Sequence, residues 1–416
     1  MEGKFVHSSK TVRKVSEVER RRVTTKLSLM QPRRAITDRD RLEVFRRLIA
    51  FDTTSANSNV SAANDLASFL EDHGCRVDRF ESDDGQKVNL VAHKGPECEG
   101  GLLLSGHLDV VPATEDGWDS DPFTLTEHDD RYVARGSADM KGFVALAACL
   151  LADIDASPMK TPLVGLFTHD EEVGTIGAQQ FCRQWDQRYP LPSAGIIGEP
   201  TELSVVRMHK GHTKLRIDVT GTPAHSGYPH LGSNAIEKLG YVIGALTSLR
   251  KEFEARRCDS SKYYPQTPYI VLNQAVVEGG VAVNIIPGAC SLTLGIRVLP
   301  GQSSTEAIEA VRRAIQAETD LADDVSISLI GDSPPLLTDA SAEVNRRLCA
   351  HVGQTDTAAV SYASDAGPLA TMGVDCVLYG PGSIEVAHKP NEYVPKDQLQ
   401  RAWESLSGFT SKWCID

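Results

Sequence analysis

Apolar segments with the pattern of short strands alternate with helical segments over the first half of the chain. Strands are predicted at 89–93, 101–105, 162–168 and 194–197, and helices at 38–51, 62–73, 141–152 and 177–187. A regular alternation of this kind is typical of an α/β domain whose sheet is at least partly parallel. The sequence therefore predicts the α/β class, and this pattern restricts the fold more strongly than any single motif.

The order of the elements changes after about residue 205. A half-exposed strand, a long helix, two paired strands, a second helix and an alternating strand follow at 215–219, 233–254, 269–277, 289–298, 304–318 and 325–330. This is the order of the split βαβ, or ferredoxin-like, arrangement. We therefore predict that residues 205–333 form an α+β domain, inserted between the two parts, 35–204 and 334–416, of a discontinuous catalytic domain.

Charge, hydropathy and cysteine usage restrict the class of function. The 416 residues carry a formal net charge of −13, which gives a nucleic-acid role no support. No apolar run approaches the roughly 18 residues of a membrane span. Nine dispersed cysteines without a C-x-x-C pair indicate a reducing compartment, so we expect a cytoplasmic protein. The basic segment 1–34 is interpreted as a disordered tail or as an extension ahead of a start at Met30, and an organelle transit peptide is the alternative.

Five residues at predicted strand ends and turns have side chains that bind divalent metals. They are two imidazoles and three carboxylates: His107, Asp139, Glu172, Glu199 and His388. This set suits two ions of zinc, cobalt or manganese that share one carboxylate, for which Asp139 is the candidate. Glu171 lies beside one ligand and is a candidate base. Asp109, two residues after His107, is a candidate to hold the other ring nitrogen of that histidine.

Each of these residues also has a structural interpretation. His107 alone fits a hydrogen-bonded structural histidine, and Asp139 fits a helix N-cap. The acidic run 170–172 fits a solvated loop, Glu199 fits an ordinary turn, and His388 fits an exposed loop. The conjunction of all five side chains, and no single one of them, predicts a two-metal hydrolase.

Nine blocks of the sequence resemble the M20 family of metallopeptidases and amidohydrolases. They lie between about Arg41 and the C-terminus and read SGHLDVVPA, DGWDSDPFTL, RGSADMKGFVA, THDEEVGTIGA, IIGEPT, HKGHTKLRIDVTG, AHSGYPHLGSNAI, VNIIPG and YGPGSIEVAHKPNEYV. As a set, these blocks are highly specific for the family. The resemblance implies a catalytic domain like that of other two-metal exopeptidases, with a mixed, mostly parallel sheet. It also implies that the inserted domain is a lid and a dimerisation domain, so a homodimer is expected.

The family pattern assigns expected roles to the matching metal-site residues. His107 and Glu199 are expected to bind one metal ion, and Glu172 and His388 the other, with Asp139 bridging the two. Glu171 is expected to act as general base and then as general acid, and Asp109 to orient His107. The expected cofactors are two divalent ions, Zn²⁺ or Co²⁺.

Three residues of the inserted domain match positions that contact the substrate in the family. His225 is expected to reach the active site of the partner subunit and stabilise the oxyanion. Asn284 and Arg297 are expected to contact the substrate, Arg297 at its α-carboxylate, because a guanidinium pairs bidentately with a carboxylate. A surface histidine and a solvated arginine are the alternative interpretations of His225 and Arg297.

The resemblance implies hydrolysis of the amide of an N-acyl amino acid, with N2-acetyl-L-ornithine, an intermediate of arginine biosynthesis, as the expected substrate. A desuccinylase, a carboxypeptidase or dipeptidase, and an aminoacylase of the same family are alternatives, because the ligands do not determine the substrate. A non-catalytic metal-binding relative is a further alternative. It is disfavoured because the candidate base and all five ligands are present.

Overall fold

The computed structural model of the protein describes residues 35–114, 116–318, 321 and 323–416. The predicted tail or leader, 1–34, lies outside the described residues. The strands are β1 Arg76–Glu81, β2 Val88–Lys94, β3 Leu102–His107, β4 Thr126–Glu127, β5 Arg131–Val133, β6 Leu163–Thr168, β7 Ala194–Ile197, β8 Val206–His209, β9 His212–Thr220, β10 Ala224–His225, β11 Val271–Gly279, β12 Ile285–Ile286, β13 Ala289–Arg297, β14 Val325–Ser333, β15 Leu336–Leu337, β16 Ala358–Val360, β17 Asp375–Leu378 and β18 Tyr393–Pro395. The α-helices are α1 Asp38–Ile49, α2 Val60–Asp72, α3 Lys141–Asp153, α4 Ile176–Gln184, α5 Ala235–Ala255, α6 Ser304–Glu318, α7 Glu343–Val352, α8 Ala366–Thr371 and α9 Lys396–Cys414.

The larger of the two main sheets has nine strands in the order β1-β2-β6-β3-β7-β17-β8-β15, with β16 paired to β8. The four central strands β6, β3, β7 and β17 are parallel, and antiparallel strands flank them on both sides. Every residue of β3, β6 and β7 is buried, as expected for parallel strands covered on both faces. The predicted α/β class is confirmed.

Helix α3 buries one face of the larger sheet. All its residues from Lys141 to Ala152 are buried, because the helix packs on β3 and β6 and is itself covered by α1 and α9. A helix that is apolar on all sides belongs in the interior. The opposite face of the sheet packs against α4 and α8 through Phe181 and Leu369. The parallel strands are thus packed between helices on both faces.

The smaller main sheet is antiparallel, with the order β11-β13-β9-β14. Helices α5 and α6 cover one face and bury alternate residues such as Ile217 and Leu292, which are paired across β9 and β13. The chain order β9-α5-β11-β13-α6-β14 is the predicted ferredoxin-like order. The first strand of the segment 205–333, β8, pairs with β17 and β15 in the larger sheet, so the smaller sheet begins at His212. The assignment of residues 205–333 to a separate domain stays a prediction.

None of the helices in the described part of the chain combines the length and the apolar character needed to cross a bilayer. All nine cysteines of the sequence are free thiols, five of them buried.

Candidate metal centre

Three neighbouring parallel strands of the larger sheet end at the same edge, and each is followed by a candidate ligand. β3 ends at His107, the turn after β6 carries Glu172, and Glu199 stands two residues after β7. Strands β6, β3 and β7 are adjacent, so their carboxyl ends lie side by side. The carboxyl edge of a parallel sheet is where α/β proteins bind their ligands. Sequence positions far apart are thereby brought together.

The first group of ligands is formed by His107, Asp139 and Glu199. One donor atom of each lies within 4.8 Å of the others, and all three residues are buried. His107 Nε2 lies 2.9 Å from Asp139 Oδ1. The Oε1 atom of Glu199 is buried and has no hydrogen-bond partner in the described part of the protein. A buried carboxylate oxygen without a donor is costly, and a cation would satisfy it.

The second group is formed by Asp139, Glu172 and His388, again within 4.8 Å of one another. His388 Nε2 lies 3.0 Å from Glu172 Oε2 and 3.4 Å from Asp139 Oδ2. Asp139 therefore directs one carboxylate oxygen to each group, as a shared ligand requires. Imidazole nitrogens and carboxylate oxygens in this proportion fit two divalent ions.

The charges at this edge of the sheet are not balanced by the protein. Burial and the negative charge of Glu199 raise the pKa of Glu171 well above its usual value. Burial, with the charge of Asp139, raises the pKa of Glu199 in the same way and that of Glu172 to about 7. Carboxylates crowded together in a dry site are the expected partner of metal cations, whose charge reverses these effects.

The two histidines partly compensate this excess of acid. Hydrogen bonds to Asp139 and Glu172 raise the pKa of His388 to about 10. Burial disfavours the charged form of His107, but the hydrogen bond to Asp139 and the negative charges around the ring together outweigh burial and raise the pKa of His107. Burial acts to raise the pKa of Asp139, and hydrogen bonds to both histidines hold it below its usual value. Each imidazole thus already faces the carboxylates with which it would share a metal ion.

Asp109 organises the acidic turn after β6 more than it organises His107. The Nδ1 atom of His107 lies 2.9 Å from the main-chain oxygen of Asp109 and 3.7 Å from its carboxylate oxygen Oδ1. The Asp109 carboxylate instead accepts the main-chain N–H groups of Glu171 at 3.0 Å and Glu172 at 3.2 Å, and the hydroxyl of Ser55 at 2.7 Å. It fixes the positions of the candidate base and of one ligand together.

Glycine at position 198 allows Glu199 to approach the centre. A Cβ atom at Gly198 would lie 1.9 Å from the ring of Phe143, which belongs to the buried helix α3. No side chain fits there, so the strand β7 passes directly over the aromatic ring. This close approach places Glu199 at the same level as His107.

The residues predicted to contact the substrate are in two different places. Arg297, at the end of β13, is half-buried, and the negative charge of Glu171 acts on it. His225 and Asn284 are exposed at the small antiparallel pair of strands β10 and β12, His225 in β10 and Asn284 immediately before β12. The ring of His225 accepts the N–H of Gly227 at 3.0 Å and makes an edge-to-face contact with Tyr228. Among the described residues of this chain, neither His225 nor Asn284 contacts a candidate metal ligand.

Four residues near the centre were not anticipated from the sequence. Arg135 and Glu392 form a buried ion pair with an N–O distance of 2.9 Å. Asp365 is buried, and burial raises its pKa to about 6 although it accepts a hydrogen bond from Thr168. The hydroxyl of Tyr362 is buried without a partner in the described residues, and the charges of nearby acids act on it. Arg135 and Glu392 lie in the sequence blocks RGSADMKG and HKPNE, and their place in these blocks was the feature of the sequence that could have pointed to them.

Comparison with known proteins gives consistent results. Residues 103–412 match the model of peptidase family M20/M25/M40. The acetylornithine deacetylase of Myxococcus xanthus is 36% identical over 380 residues, which are 88% of this chain and 96% of that protein. The acetylornithine deacetylase of Yersinia pestis is 36% identical over 391 residues, or 90% of this chain and 97% of that protein.

Solved structures of low sequence identity share the fold. The M20 metallo-carboxypeptidase Sso-CP2 of Sulfolobus solfataricus superposes with a TM-score of 0.73 at 18% identity, covering 91% of this chain and 99% of that one. A dinuclear metal-binding peptidase of family M20 from Bacillus subtilis superposes with a TM-score of 0.62 at 14% identity, covering 89% and 97%.

Proposed function

Because this chain belongs to peptidase family M20/M25/M40 and is a hydrolase, we propose that it cleaves the amide of an N-acyl amino acid, and N2-acetyl-L-ornithine above others. The observation that carries the proposal is the pair of ligand groups that share Asp139 at one edge of the sheet, with Glu171 beside them. The two acetylornithine deacetylases that align over most of the chain support this substrate.

The proposed cofactors are two divalent ions, Zn²⁺ or Co²⁺. His107, Glu199 and Asp139 would hold one ion, and Glu172, His388 and Asp139 the other. When bound, two such ions lower the pKa of a water and offset the negative charge that develops on a carbonyl oxygen. The buried Oε1 atom of Glu199 and the excess of acid over base support this assignment.

Glu171 is the proposed proton carrier. Its main chain is held by the Asp109 carboxylate, and the residue belongs to neither ligand group found in the described part of the protein. Its carboxylate accepts the proton of the attacking water and returns that proton to the nitrogen that leaves, so one group acts first as base and then as acid.

Arg297 is proposed to bind the α-carboxylate of the substrate. It lies half-buried at the end of β13, and the negative charge of Glu171 acts on its guanidinium. Burial, with the charge of Arg297, lowers the pKa of His212 to about 4, which keeps that ring neutral. Arg297 and Lys214 are therefore the positive charges that act on this ring, and a substrate carboxylate would complement the guanidinium of Arg297.

A homodimer is proposed to complete the site. Residues 205–333 would form the lid and dimerisation domain and residues 35–204 with 334–416 the catalytic domain, and His225 and Asn284 would act in the partner subunit. The exposed apolar side chains of the smaller sheet, Val277 at 57% and Leu329 at 56% exposure, support a partner surface there. The nine free thiols support a cytoplasmic location.

A steady-state screen tests the proposal. The enzyme is stripped with a chelator and reloaded with Zn²⁺ or Co²⁺, and then N-acetyl-L-ornithine, an N-succinyl amino acid and a dipeptide are compared by kcat/KM. We expect metal-dependent hydrolysis with N-acetyl-L-ornithine the best substrate. A preference for the N-succinyl compound or the dipeptide would reject the substrate, and equal activity in the chelated protein would reject the metal centre.

A further inference from the structure

A buried ion pair between Arg135 and Glu392 lies beside the two ligand groups without belonging to either. Arg135 is 1% exposed and Glu392 is not exposed at all. Burying two charges costs free energy that their mutual attraction does not reliably return, so a pair of this kind has to be explained by what it holds in place. The contacts of both side chains show what that is.

The Glu392 carboxylate is hydrogen-bonded to the main chain of Asp139, the candidate shared metal ligand. Its Oε1 atom accepts the N–H of Ala138 at 2.9 Å and the N–H of Asp139 at 3.1 Å. Its Oε2 atom accepts Arg135 Nη1 at 2.9 Å. The two oxygens therefore tie the turn that carries Asp139 to the buried guanidinium.

The same pair also holds the loop that carries His388. Arg135 Nη1 donates to the main-chain oxygen of Lys389 at 3.3 Å, and Nη2 donates to that of Pro112 at 3.1 Å. Glu392 is four residues after His388, and its main-chain oxygen accepts the N–H of Ala134 at 3.0 Å. Both sides of the second ligand group are thus anchored to one pair of side chains.

We propose that Glu392, held by Arg135, is a positioning residue for the metal centre: it fixes the Asp139 main chain against the loop of His388 and so sets the geometry of the shared ligand. The inference rests on the proposed function in that it presupposes two bound ions. Groups that orient metal ligands from outside the coordination sphere typically change metal affinity by about 10- to 100-fold when they are replaced. A residue that only stabilised the fold would not have this effect on the folded protein.

Glu392→Gln tests the proposal, because it keeps the shape and removes the charge. Zn²⁺ affinity is measured on the metal-free protein by competition with a chromogenic chelator, and folding is checked by circular dichroism and Tm. The wild type is expected to bind two ions, and the variant to bind them about 10- to 100-fold more weakly. Phe253→Leu, in the core of the smaller sheet, is the matched control for lost stability and should keep the wild-type affinity.

The outcomes separate the two proposals. A wild type that binds no ions would reject the metal centre itself. A folded Glu392→Gln that binds two ions within about twofold of the wild type would reject the positioning role alone.

A double variant, Arg135→Met with Glu392→Met, distinguishes positioning from packing and also covers the case in which Glu392→Gln does not fold. An apolar pair of similar volume often replaces a buried ion pair without loss of stability. We expect the double variant to fold, with a Tm lowered only by the loss of the acceptor for the buried N–H groups of Ala138 and Asp139, and to bind Zn²⁺ weakly because Asp139 is no longer held. Recovery of both the Tm and the wild-type affinity would overturn the proposal.

If the double variant does not fold, hydrogen exchange of the Ala138 and Asp139 amides in the metal-free wild type tests the positioning role instead. If these two amides exchange only when the whole protein unfolds, the positioning role of Glu392 is supported. If they exchange rapidly in the native protein, that role is overturned.

Discussion

Replacement of Glu171 by glutamine separates metal binding from catalysis. The change keeps the size of the side chain, and the main-chain N–H of residue 171 keeps its 3.0 Å hydrogen bond to Asp109. Both ligand groups of the described residues remain complete, because Glu171 belongs to neither. We therefore expect the variant to bind two metal ions with wild-type affinity.

The expected loss of rate follows from the role of Glu171 as a proton carrier. General acid–base catalysis by a positioned side chain contributes about 10²- to 10⁴-fold, which corresponds to about 3–5 kcal/mol of transition-state stabilisation. Because one carboxylate serves in both proton transfers, we place the loss in kcat in the upper half of that range. KM should change little, since Arg297, the proposed partner of the substrate carboxylate, is unchanged.

The thermal stability of the metal-free protein is a second readout, and we expect Glu171→Gln to increase it although the same change decreases kcat. In the metal-free protein, burial and the negative charge of Glu199 raise the pKa of Glu171, so an ionised carboxylate at position 171 destabilises the folded protein. Replacing Glu171 by glutamine should raise the Tm of the metal-free protein above that of the metal-free wild type.

The assay combines release of the free amine from N-acetyl-L-ornithine, metal content by atomic emission and thermal melts in chelator. Glu385→Gln, an exposed glutamate in the loop of His388, is the control and should leave all three unchanged. A kcat within about tenfold of the wild type would remove Glu171 from the mechanism, and loss of metal would make it a ligand.

Three further predictions concern the metals, the partner subunit and the unpaired hydroxyl. Chelation should lower Tm and re-addition of Zn²⁺ restore it, since ligand at 100 times its Kd stabilises the folded state by about 2.7 kcal/mol per site; an unchanged melt would contradict the metal centre. Mixing inactive Glu171→Gln with inactive His225→Ala should restore up to about a quarter of wild-type activity if His225 acts across a two-fold dimer, whereas no recovery would place it in its own subunit. Tyr362→Phe should lower kcat by about 10- to 100-fold without changing metal content, because its buried hydroxyl is a donor without a protein partner in the described residues; an unchanged kcat would make the hydroxyl irrelevant to the reaction.

Elements with a strong apolar pattern were predictable from the sequence, and short or charged strands were not. β3, β6, α3 and β13 match their predicted positions to within a few residues. β8 was missed because its sequence VRMH is short and buried throughout, so it shows no alternation. Its partners, β17 and β15, lie more than a hundred residues away in sequence, which no local pattern reports. For the same reason the segment that forms the smaller sheet starts later than the predicted boundary at 205.

The two clusters of candidate metal ligands were predictable because their side-chain chemistry is unusual at strand ends, but the contacts that orient these side chains were not. The sequence placed Asp109 beside His107, where a side-chain hydrogen bond was expected. The structure gives that bond to the main chain of Asp109 and directs the carboxylate to the turn of Glu171, a residue 62 positions away. Glu392 was visible only as one letter of a loop motif. Its partners Arg135 and Asp139 are more than 250 positions distant. Such pairings depend on the assembled fold.

The connectors between the two main sheets lie side by side. Lys210 and Gly211 join β8 to β9, and Pro334 and Pro335 join β14 to β15. On one side of this crossing His212 pairs with Ser333, and on the other His209 pairs with Leu336. Segments whose two ends are neighbours can be gained or exchanged without re-threading the host chain. The part of the protein that carries Arg297 can therefore diversify as a module, and new substrate preferences can arise while the strand order beneath the candidate metal ligands is left untouched.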